Sequence, residues 1–513
     1  MARGELVFFT RTLAGLLFET RNALRLSLFI PRKALNQAYV AMHIVSCWAS
    51  PLFLLLEGRL GGRRRRLLLS LLVDAVVNVF TVVSMQFGLG YEFAVDCLTT
   101  TASRWYDPRW FVRITSETDD LVCRQGFAVV LLGTLASIPS ALAQPLLLTE
   151  VSGPTAPTSS VALIPQAIAR KPSIVRLAMA TERFSVTRPT AFTYNLFDVL
   201  QVVFALWGLV VLLAHLRAFR FGRDIHLCPY QEFPWLQTDA AACSLVHIDC
   251  RVTTGTTNAD VVASSLVHVY FDSVVFLEIH GCPTLEMTST TLQNLTRLRG
   301  LLIKDSIISH WEPEAAILPS LVVIAFFESV RFADSATTVA MLRTPLPASL
   351  RAFSISDSPS VGTHAAVAFT NATIALWPVR LRLWLDDVHL STVPTRLLSA
   401  QLKAISLAGN LLTTLPSTLF TSDGITKIDV SRNERLALWP EIESTAVAST
   451  LRLVNMSKTN TTELVSWLKE ATRVQVTAID TPLCRSEQSQ SVDCEDSPKS
   501  VMQSVFQRNT EIE

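Results

Sequence analysis

The second half of the chain repeats one spacing of apolar residues. In the stretch "LKAISLAGNLLTTLPSTLF", which begins at Leu402, apolar residues stand at positions 1, 4 and 6, and Asn410 stands at position 9. No single helix or strand needs that order, because helices repeat about every 3.6 residues and strands about every two. Copies of the spacing, one of them degenerate, begin at Val274, Leu298, Leu321, Leu350, Arg380, Leu402, Ile425 and Leu451.

The period of this spacing is typical of leucine-rich repeats. The shortest step runs from position 380 to 402 and the longest from 350 to 380, close to the roughly 20–29 residues of that repeat. Positions 4 and 6 alternate within a short strand and point inward. The polar residue at position 9 turns the chain and bonds the neighbouring coil, and stacked coils bury one continuous core. An earlier copy is predicted to begin at Leu245. Val388, at position 9 of the degenerate copy, predicts a local irregularity.

Four long apolar runs mark the first half of the chain. They cover residues 38–56, 67–89, 127–148 and 196–216. Each is close to the ~20 residues that a helix needs to cross a bilayer. Buried core helices are the alternative, but none of the runs has a repeated polar face. The chain is 50% hydrophobic and only 17% charged, which favours membrane helices. Its net charge of +1 gives no reason to expect a nucleic-acid partner.

The fold prediction is an α-helical multi-span membrane region followed by an α/β leucine-rich-repeat solenoid with a curved parallel sheet on its concave side. We expect five parts: a basic amphipathic N-terminal segment (1–37), a four-span transmembrane region (38–216), a cysteine-containing N-terminal cap (217–257), the leucine-rich repeats (258–480), and a cysteine-containing C-terminal cap with a polar tail (481–513).

Cysteines lie at both ends of the predicted solenoid. The disulfide candidates are Cys97, Cys123, Cys228, Cys243, Cys250, Cys282, Cys484 and Cys494. Solenoid ends expose apolar surface, and disulfide-stapled caps cover it in oxidising compartments. Cys97 and Cys123 can pair only if the 90–126 loop shares the oxidising side, and Cys484 can pair with Cys494. The connectivity of the four cysteines from Cys228 to Cys282 stays open, and Cys47 remains a thiol in the first span.

Glycosylation sequons also fall in the repeats. The candidates are Asn294, Asn371 and Asn460. A fourth, Asn455, lies on a predicted concave strand, where a glycan would block the surface. Together with the cysteines, these sites predict extracellular repeats on a plasma-membrane protein. Basic residues flank the apolar runs on both sides, so the positive-inside rule does not decide the orientation.

Three segments resemble a known group of proteins. They read "CPYQEFPWLQTDAAACSLVHIDC", "LQNLTRLRGLLIKDSIISHWEPEAAILPSL" and "VSRNERLALWP". The chain resembles, over roughly residues 190–495, the uncharacterised membrane-anchored leucine-rich-repeat proteins that are abundant in oomycetes. The resemblance implies an extracytoplasmic repeat domain and no assigned activity.

Enzyme motifs are missing from the sequence. It has no phosphate-binding loop, kinase signature or nucleophile elbow, so we predict no enzyme, cofactor or metal. His247, His268 and His280 are interpreted as strand or loop side chains rather than metal ligands. Exposed Trp, Phe and Arg side chains are the usual anchors of binding surfaces. The predicted ligand-binding residues of the concave face are Phe327, Arg382, Trp384, Asp386, Asp387 and Arg432.

The predicted function is therefore a receptor-like glycoprotein that binds a protein or glycan through the concave face of its repeats, with the lipid bilayer and a co-receptor as further partners. The alternative is a four-helix transport or channel-like unit with a regulatory repeat ectodomain. Asp74 and Asn78, on one face of the second run, favour the alternative because intramembrane carboxylates are costly. Hydrogen bonding between membrane helices also explains them, and we prefer that interpretation.

Overall fold

The structure is a computed structural model. It describes residues 17, 20, 21, 23, 24, 27, 32–55, 107–113, 115, 191–221, 226–236, 240–252, 261–312, 318–486 and 492–494. These residues fall into two compact units. Residues 37–55 and 191–216 belong to the first unit, and residues 32–36, 107–113 and everything described after 216 belong to the second.

An 11-stranded sheet runs through the second unit in the order β1-β2-β3-β5-β7-β9-β10-β11-β12-β13-β14. All neighbouring pairs from β2 onward are parallel, and β1 pairs antiparallel with β2. The strands are β1 Tyr230–Gln231, β2 Cys243–Asp249, β3 Phe276–His280, β4 Leu285–Met287, β5 Gly300–Lys304, β6 Ile307–Trp311, β7 Val323–Phe327, β8 Arg331–Phe332, β9 Ala352–Ser356, β10 Leu381–Asp386, β11 Leu402–Ser406, β12 Lys427–Asp429, β13 Leu453–Asn455 and β14 Gln475–Thr477.

Short helices return the chain from one strand to the next. The described α-helices are α1 Lys33–Leu55, α2 Pro108–Val112, α3 Ala191–Phe221, α4 Val261–Leu266, α5 Ser289–Leu292, α6 Ser335–Arg343, α7 Pro359–Ala368, α8 Asn371–Ala375, α9 Thr418–Thr421 and α10 Ser466–Glu470. Four 3-10 helices cover Phe271–Ser273, Thr395–Ser399, Ser444–Ala446 and Pro482–Arg485. A second parallel sheet, β4-β6-β8, lies in the early repeats. This succession of parallel strands and short return elements confirms the predicted α/β solenoid.

Positions 4 and 6 of each repeat face the core, as predicted. Ile405 and Leu407 are fully buried, and Ile405 lies in register with Ile428 of the next strand. The polar residue at position 9 joins the coils: the Asn410 side-chain amide donates to the Leu385 carbonyl (2.7 Å). Asn433 repeats that bond to the Leu407 carbonyl (2.9 Å). In these two coils, an amide side chain therefore satisfies backbone groups that would otherwise be buried without partners.

The two ends of the repeat array differ from prediction. Val246 pairs with Leu277 and Ile248 with Ile279, so Ile248 occupies position 6 rather than position 4. The register predicted from Leu245 is wrong by two residues, because Leu245 faces the other side of the strand. At the other end, β14 adds a coil that the spacing did not reveal. Its first position holds Arg473, and its inward residue Ala478 is too small to give an apolar signal.

Position 8 adopts a left-handed backbone conformation in the nine described coils from β3 onward. Its φ values lie between 41° and 67° in Gly281, Asp305, Glu328, Asp357, Asp387, Gly409, Arg432, Lys458 and Asp480. This conformation lets the chain turn sharply at the end of every strand, and Gly and Asp tolerate it best. The predicted irregularity beside Val388 is present, since His389 adds a second left-handed residue (φ 63°) directly after it.

Disulfide bonds close both ends of the solenoid. Cys228 pairs with Cys243, Cys250 with Cys282, and Cys484 with Cys494. The first two bonds resolve the connectivity that the sequence left open. Among the described cysteines, Cys47 forms no disulfide. Cys97 and Cys123 lie outside the described residues, and so does their predicted pairing.

The prediction of four membrane spans is not supported. In the part of the chain that the structure describes, one helix is long and apolar enough to cross a membrane: Gln201–Arg220, within α3. It overlaps the run at 196–216. Helix α1 overlaps the run at 38–56 but is not long and apolar enough by the same criteria, and the runs at 67–89 and 127–148 lie outside the described residues. The length and apolar composition of the four runs therefore predicted more membrane spans than the described residues support.

Helices α1 and α3 contact each other within the first unit. The Trp48 indole N–H donates to the Ala205 carbonyl (3.1 Å). Gly208 allows this approach, since a Cβ there would collide with the Trp48 ring. Other side chains of α3 are left open: Val202, Leu206 and Leu213 are each more than half exposed. The helix thus presents an apolar surface away from α1.

Candidate functional site

The concave face of the main sheet is formed by positions 3, 5 and 7 of the repeats. Over the first five coils, these positions carry an apolar cluster, called here the apolar half of the face, and beside it charged side chains such as Glu278 and Lys304. Its members are Leu245, Phe276, Leu302, Val323, Ala325, Phe327 and Ala352, and Trp384 continues it in the next coil. Further along, the same positions carry polar side chains: Asp386, Ser406, Asp429, Ser431, Asn455, Ser457 and Thr477. The concave face therefore has an apolar half and a polar half.

A segment from the 90–126 loop occupies the apolar half. Helix α2 is only five residues long and begins with Pro108, whose fixed φ suits the first helical position. The Asp107 carboxylate caps it by accepting from the backbone N–H groups of Arg109 (2.9 Å) and Trp110 (3.3 Å). Such a short helix is marginal alone, so tertiary packing must hold it.

That packing comes from three consecutive side chains. Trp110, Phe111 and Val112 are buried in one cluster with the apolar concave residues. The Phe111 ring meets the Phe276 ring edge-on, with 5.4 Å between ring centroids. Aromatic pairs favour this arrangement beyond their buried area. No sequence pattern predicted this contact, because the segment and its partners are more than 120 residues apart.

Two predicted ligand-binding residues lie in this covered cluster. Phe327 and Trp384 occupy concave positions, as the alternation of side chains along a strand predicted. Both are only 6% exposed. Their predicted role as ligand contacts stays a prediction. Any ligand that reaches them must first take the place of the side chains that cover them.

Asp386, a third predicted residue, lies at the start of the polar half. One of its carboxylate oxygens accepts hydrogen bonds from the Ser406 hydroxyl (2.6 Å) and the Ala408 backbone N–H (3.0 Å). The side chain is almost fully buried. Burial raises the pKa of Asp386 to about 7, and the negative charge of Asp429 acts in the same direction. Asp386 thus changes its charge state near neutral pH inside the solenoid.

The next two coils continue this network. Asp429 accepts from the Ser431 backbone N–H (2.9 Å) and from the side-chain amide of Asn455 (3.0 Å). Burial raises the pKa of Asp429 as well. Because the Asn455 amide is buried in this contact, it is not open to glycosylation in the folded protein. Asn294, Asn371 and Asn460 are exposed, so their predicted modification is sterically open.

The remaining predicted residues fall into two places. Asp387 and Arg432 are two coils apart and form a doubly hydrogen-bonded ion pair, with N–O distances of 3.0 and 2.6 Å. Arg382 lies apart from them, at a concave position 3. The structure therefore divides the six residues among a covered apolar cluster, a buried carboxylate, an ion pair and one cation near the start of β10.

Arg382 belongs to a group of basic side chains at the start of the polar half. The positive charge of Arg382 lowers the pKa of Lys403, and so do burial and the charges of Arg380 and Lys427. Four cations thus lie close enough to influence one another. An open groove of about 520 Å³, lined in part by Arg380 and Lys403, adjoins them. This edge of the concave face favours acidic groups.

Comparison with known proteins gives a fold-level likeness. No protein-family model matches the sequence, and no curated protein matches it. The structure is similar to the leucine-rich repeat domain of APL1B, at 12% identity and a TM-score of 0.24, over 46% of this chain and 64% of that one. It is also similar to the functional domain of InlJ from Listeria monocytogenes, which includes a cysteine ladder, at 13% identity and a TM-score of 0.22, over 41% and 40%. The chain thus spans less than two thirds of either protein. The solenoid assignment rests on the repeat geometry described above.

Proposed function

We propose that this protein is a membrane-anchored, non-catalytic recognition protein whose concave face binds a segment of another protein. The observation that carries the proposal is the seating of Trp110, Phe111 and Val112 on the apolar half of that face. A surface that buries a short aromatic segment of its own chain has the shape and chemistry to bury a similar segment from a partner. Solenoids commonly use their concave side in this way.

The ligand chemistry follows from the two halves of the face. The apolar half suits two or three consecutive aromatic or aliphatic side chains, as in α2. The basic edge around Arg382 and Lys403 suits acidic groups next to them. We therefore infer a ligand segment with an apolar core and acidic flanks. Because α2 is tethered to the same chain, its effective concentration is about millimolar, and a ligand must compete with it.

Anchoring and orientation have separate support. The exposed apolar side chains of α3 and the length of Gln201–Arg220 fit a lipid-facing helix. Three disulfides fit an oxidising compartment, and the three exposed sequon asparagines are compatible with it. We propose that the repeats face the outside of the plasma membrane. The residues that favoured a transport role, Asp74 and Asn78, lie outside the described residues, and no described feature favours that alternative.

A peptide-binding experiment tests the recognition surface. The probe is a fluorescent peptide with the sequence of residues 107–113, "DPRWFVR". We expect it to bind full-length protein that carries Trp110→Ser and Phe111→Ser, since the apolar half is then uncovered. We expect at least tenfold weaker binding to the wild type. The control peptide has Ser at both aromatic positions. Equal binding of both peptides to both proteins would refute a specific concave site, whereas binding of soluble glycans alone would favour a carbohydrate receptor.

Protease protection tests the orientation. Intact cells expressing the full chain are treated with protease and, separately, with a glycosidase. Digestion of the repeats without permeabilisation, together with a loss of apparent mass after glycosidase, is the expected result. Digestion only after permeabilisation would reject an extracellular solenoid, whatever the peptide experiment shows.

A further inference from the structure

Three potential metal ligands meet at the N-terminal end of the concave face. One ring nitrogen of His247, one of His280 and a carboxylate oxygen of Asp249 all lie within 4.8 Å of one another. His247 and Asp249 occupy alternate positions of β2, and His280 lies opposite Asp249 in the register of β3. All three side chains are partly buried. Strand alternation therefore brings the three donors to one side of two neighbouring strands.

A second carboxylate supports the arrangement. Glu278 lies opposite His247 in the strand register, and its Oε2 is 3.2 Å from His247 Nδ1. The other oxygen of Glu278 pairs with Lys304 Nζ at 3.4 Å. Metal-binding histidines usually donate their second ring N–H to a carboxylate, which fixes the tautomer and orients the ring. Glu278 can hold His247 in this way and leave Nε2 for a ligand.

A disulfide fixes the two strand ends that carry the donors. Cys250 directly follows Asp249, Cys282 follows His280 by two residues, and the two cysteines are bonded with 4.9 Å between their Cα atoms. The spacing of Asp249 and His280 is thus held by a covalent link. Zn²⁺ with bonds of ~2.0–2.1 Å needs donor atoms about 3.3 Å apart, so small side-chain rotations complete the site.

The Arg251 side chain lies beside Asp249 and His280, at the position where a metal ion would bind. Its guanidinium donates to Asp249 Oδ1 (3.2 Å) and Oδ2 (3.4 Å), and it lies 2.9 Å from His280 Nδ1. Gly281 leaves room for this side chain, because a Cβ there would collide with it. Arg251 is 54% exposed, so it can move into solvent. A cation already bridges two of the three donors, and a metal ion would replace it.

We propose that His247, Asp249 and His280 form a binding site for a divalent transition-metal ion, with Zn²⁺ as the best fit, and that Arg251 occupies the site when the metal is absent. Two imidazoles and one carboxylate are a common donor set for Zn²⁺ and leave a coordination position open for water or a ligand. The site is independent of the peptide-binding proposal, since no residue of the covered apolar cluster belongs to it.

Metal titration of the full-length protein tests the proposal. The protein is purified in detergent without reductant, so that the Cys250–Cys282 bond stays intact. Co²⁺ is titrated and its visible absorption recorded, and Zn²⁺ binding is measured by calorimetry and by displacement of Co²⁺. We expect one saturable site in the wild type. His247→Ala and His280→Ala should remove the Co²⁺ absorption over the same concentration range, and Glu278→Gln should weaken binding by about 10–100-fold.

Two further variants make the test specific. Arg251→Gln removes the competing charge and should bind Zn²⁺ several-fold more tightly than the wild type. His310→Ala is the control, because His310 is exposed and pairs with Glu312 away from the cluster. Unchanged Co²⁺ absorption in His247→Ala and His280→Ala, with the wild-type circular dichroism spectrum retained, would overturn the site. Weaker binding in Arg251→Gln would overturn the role given to Arg251.

Discussion

Arg432 reaches across a whole coil of the solenoid to bind Asp387. Its guanidinium makes two hydrogen bonds to the Asp387 carboxylate, and both residues occupy the left-handed position 8 of their repeats. The coil between them carries Gly409 at the same position, where a Cβ would collide with the Asp387 carboxylate. The ion pair therefore depends on a residue that takes no part in it.

The first prediction concerns this glycine. Gly409→Ala adds a Cβ to a residue with φ +65° and displaces the Asp387 carboxylate. We expect the free energy of unfolding to fall by about 1–3 kcal/mol. Gly424→Ala is the matched control: its φ is +89°, but its nearest obstacle is the Leu402 carbonyl oxygen at 3.9 Å. Denaturant unfolding measures both, and a loss at Gly424 equal to that at Gly409 would exclude the proposed contact.

The second prediction compares two neighbouring residues. Leu407 is fully buried in the core, so Leu407→Ala should cost about 2–5 kcal/mol. From the sequence, Ser406 faces outward and Ser406→Ala should cost less than about 0.5 kcal/mol. The structure shows instead that the Ser406 hydroxyl binds the buried Asp386 carboxylate, so we now expect a cost of about 1–3 kcal/mol.

A concave position in the next strand supplies the control for that comparison. Lys427 is exposed, and Lys427→Ala should change the free energy of unfolding by less than about 0.5 kcal/mol. If Ser406→Ala behaves like Lys427→Ala, then the hydrogen bond to Asp386 contributes nothing to stability.

Ser406 also separates what the sequence could predict from what it could not: the face of the strand was predictable, but the burial of the side chain was not. The alternation of strands correctly separated inward from concave positions, because it depends only on local geometry. Whether a concave side chain is exposed depends on what else lies there. Phe327 and Trp384 lie in one buried cluster with Trp110 and Phe111, and that cluster joins distant parts of the chain. The repeats were thus predictable, whereas the occupied state of the binding surface was not.

The grouping of His247 and His280 with Asp249 also could not be predicted from the sequence. His247 and His280 do lie on strands, as predicted from the apolar residues around them. Their convergence with Asp249 depends on the register between β2 and β3, and the sequence-based register at β2 was wrong by two residues. If the Cys250–Cys282 bond had been known, it would have given the correct register, and that register predicts that His247, Asp249 and His280 lie close together.

The third prediction is a pH dependence of stability. An unfolded Asp has a pKa near ~3.9, whereas burial raises that of Asp386 to about 7. Between these values the folded protein holds a proton that the unfolded chain has released. The contribution of Asp386 to stability should therefore fall as the pH rises from about 4 to 7, by up to about 1.4 kcal/mol per pH unit.

Substitution of Asp386 isolates its part of this slope. Asp386→Asn keeps an oxygen that can accept from Ser406 and Ala408 but does not titrate, so it should reduce the slope of unfolding free energy against pH. Asp423→Asn alters an exposed carboxylate and serves as the control. If Asp386→Asn leaves the slope at its wild-type value, Asp386 is ionised throughout this range.

The last prediction joins the cysteines to the covered surface. Six cysteines are paired in the described residues, Cys47 forms no disulfide, and Cys97 and Cys123 flank the segment that contains α2. Because α2 packs on the concave face, its loop must lie on the same side of any membrane as the repeats. If that side is oxidising, Cys97 and Cys123 can pair.

Thiol labelling of denatured, unreduced protein, read by mass spectrometry, should then modify one cysteine, Cys47. Three modified cysteines would contradict the Cys97–Cys123 pair, and nine would remove the case for an extracellular solenoid.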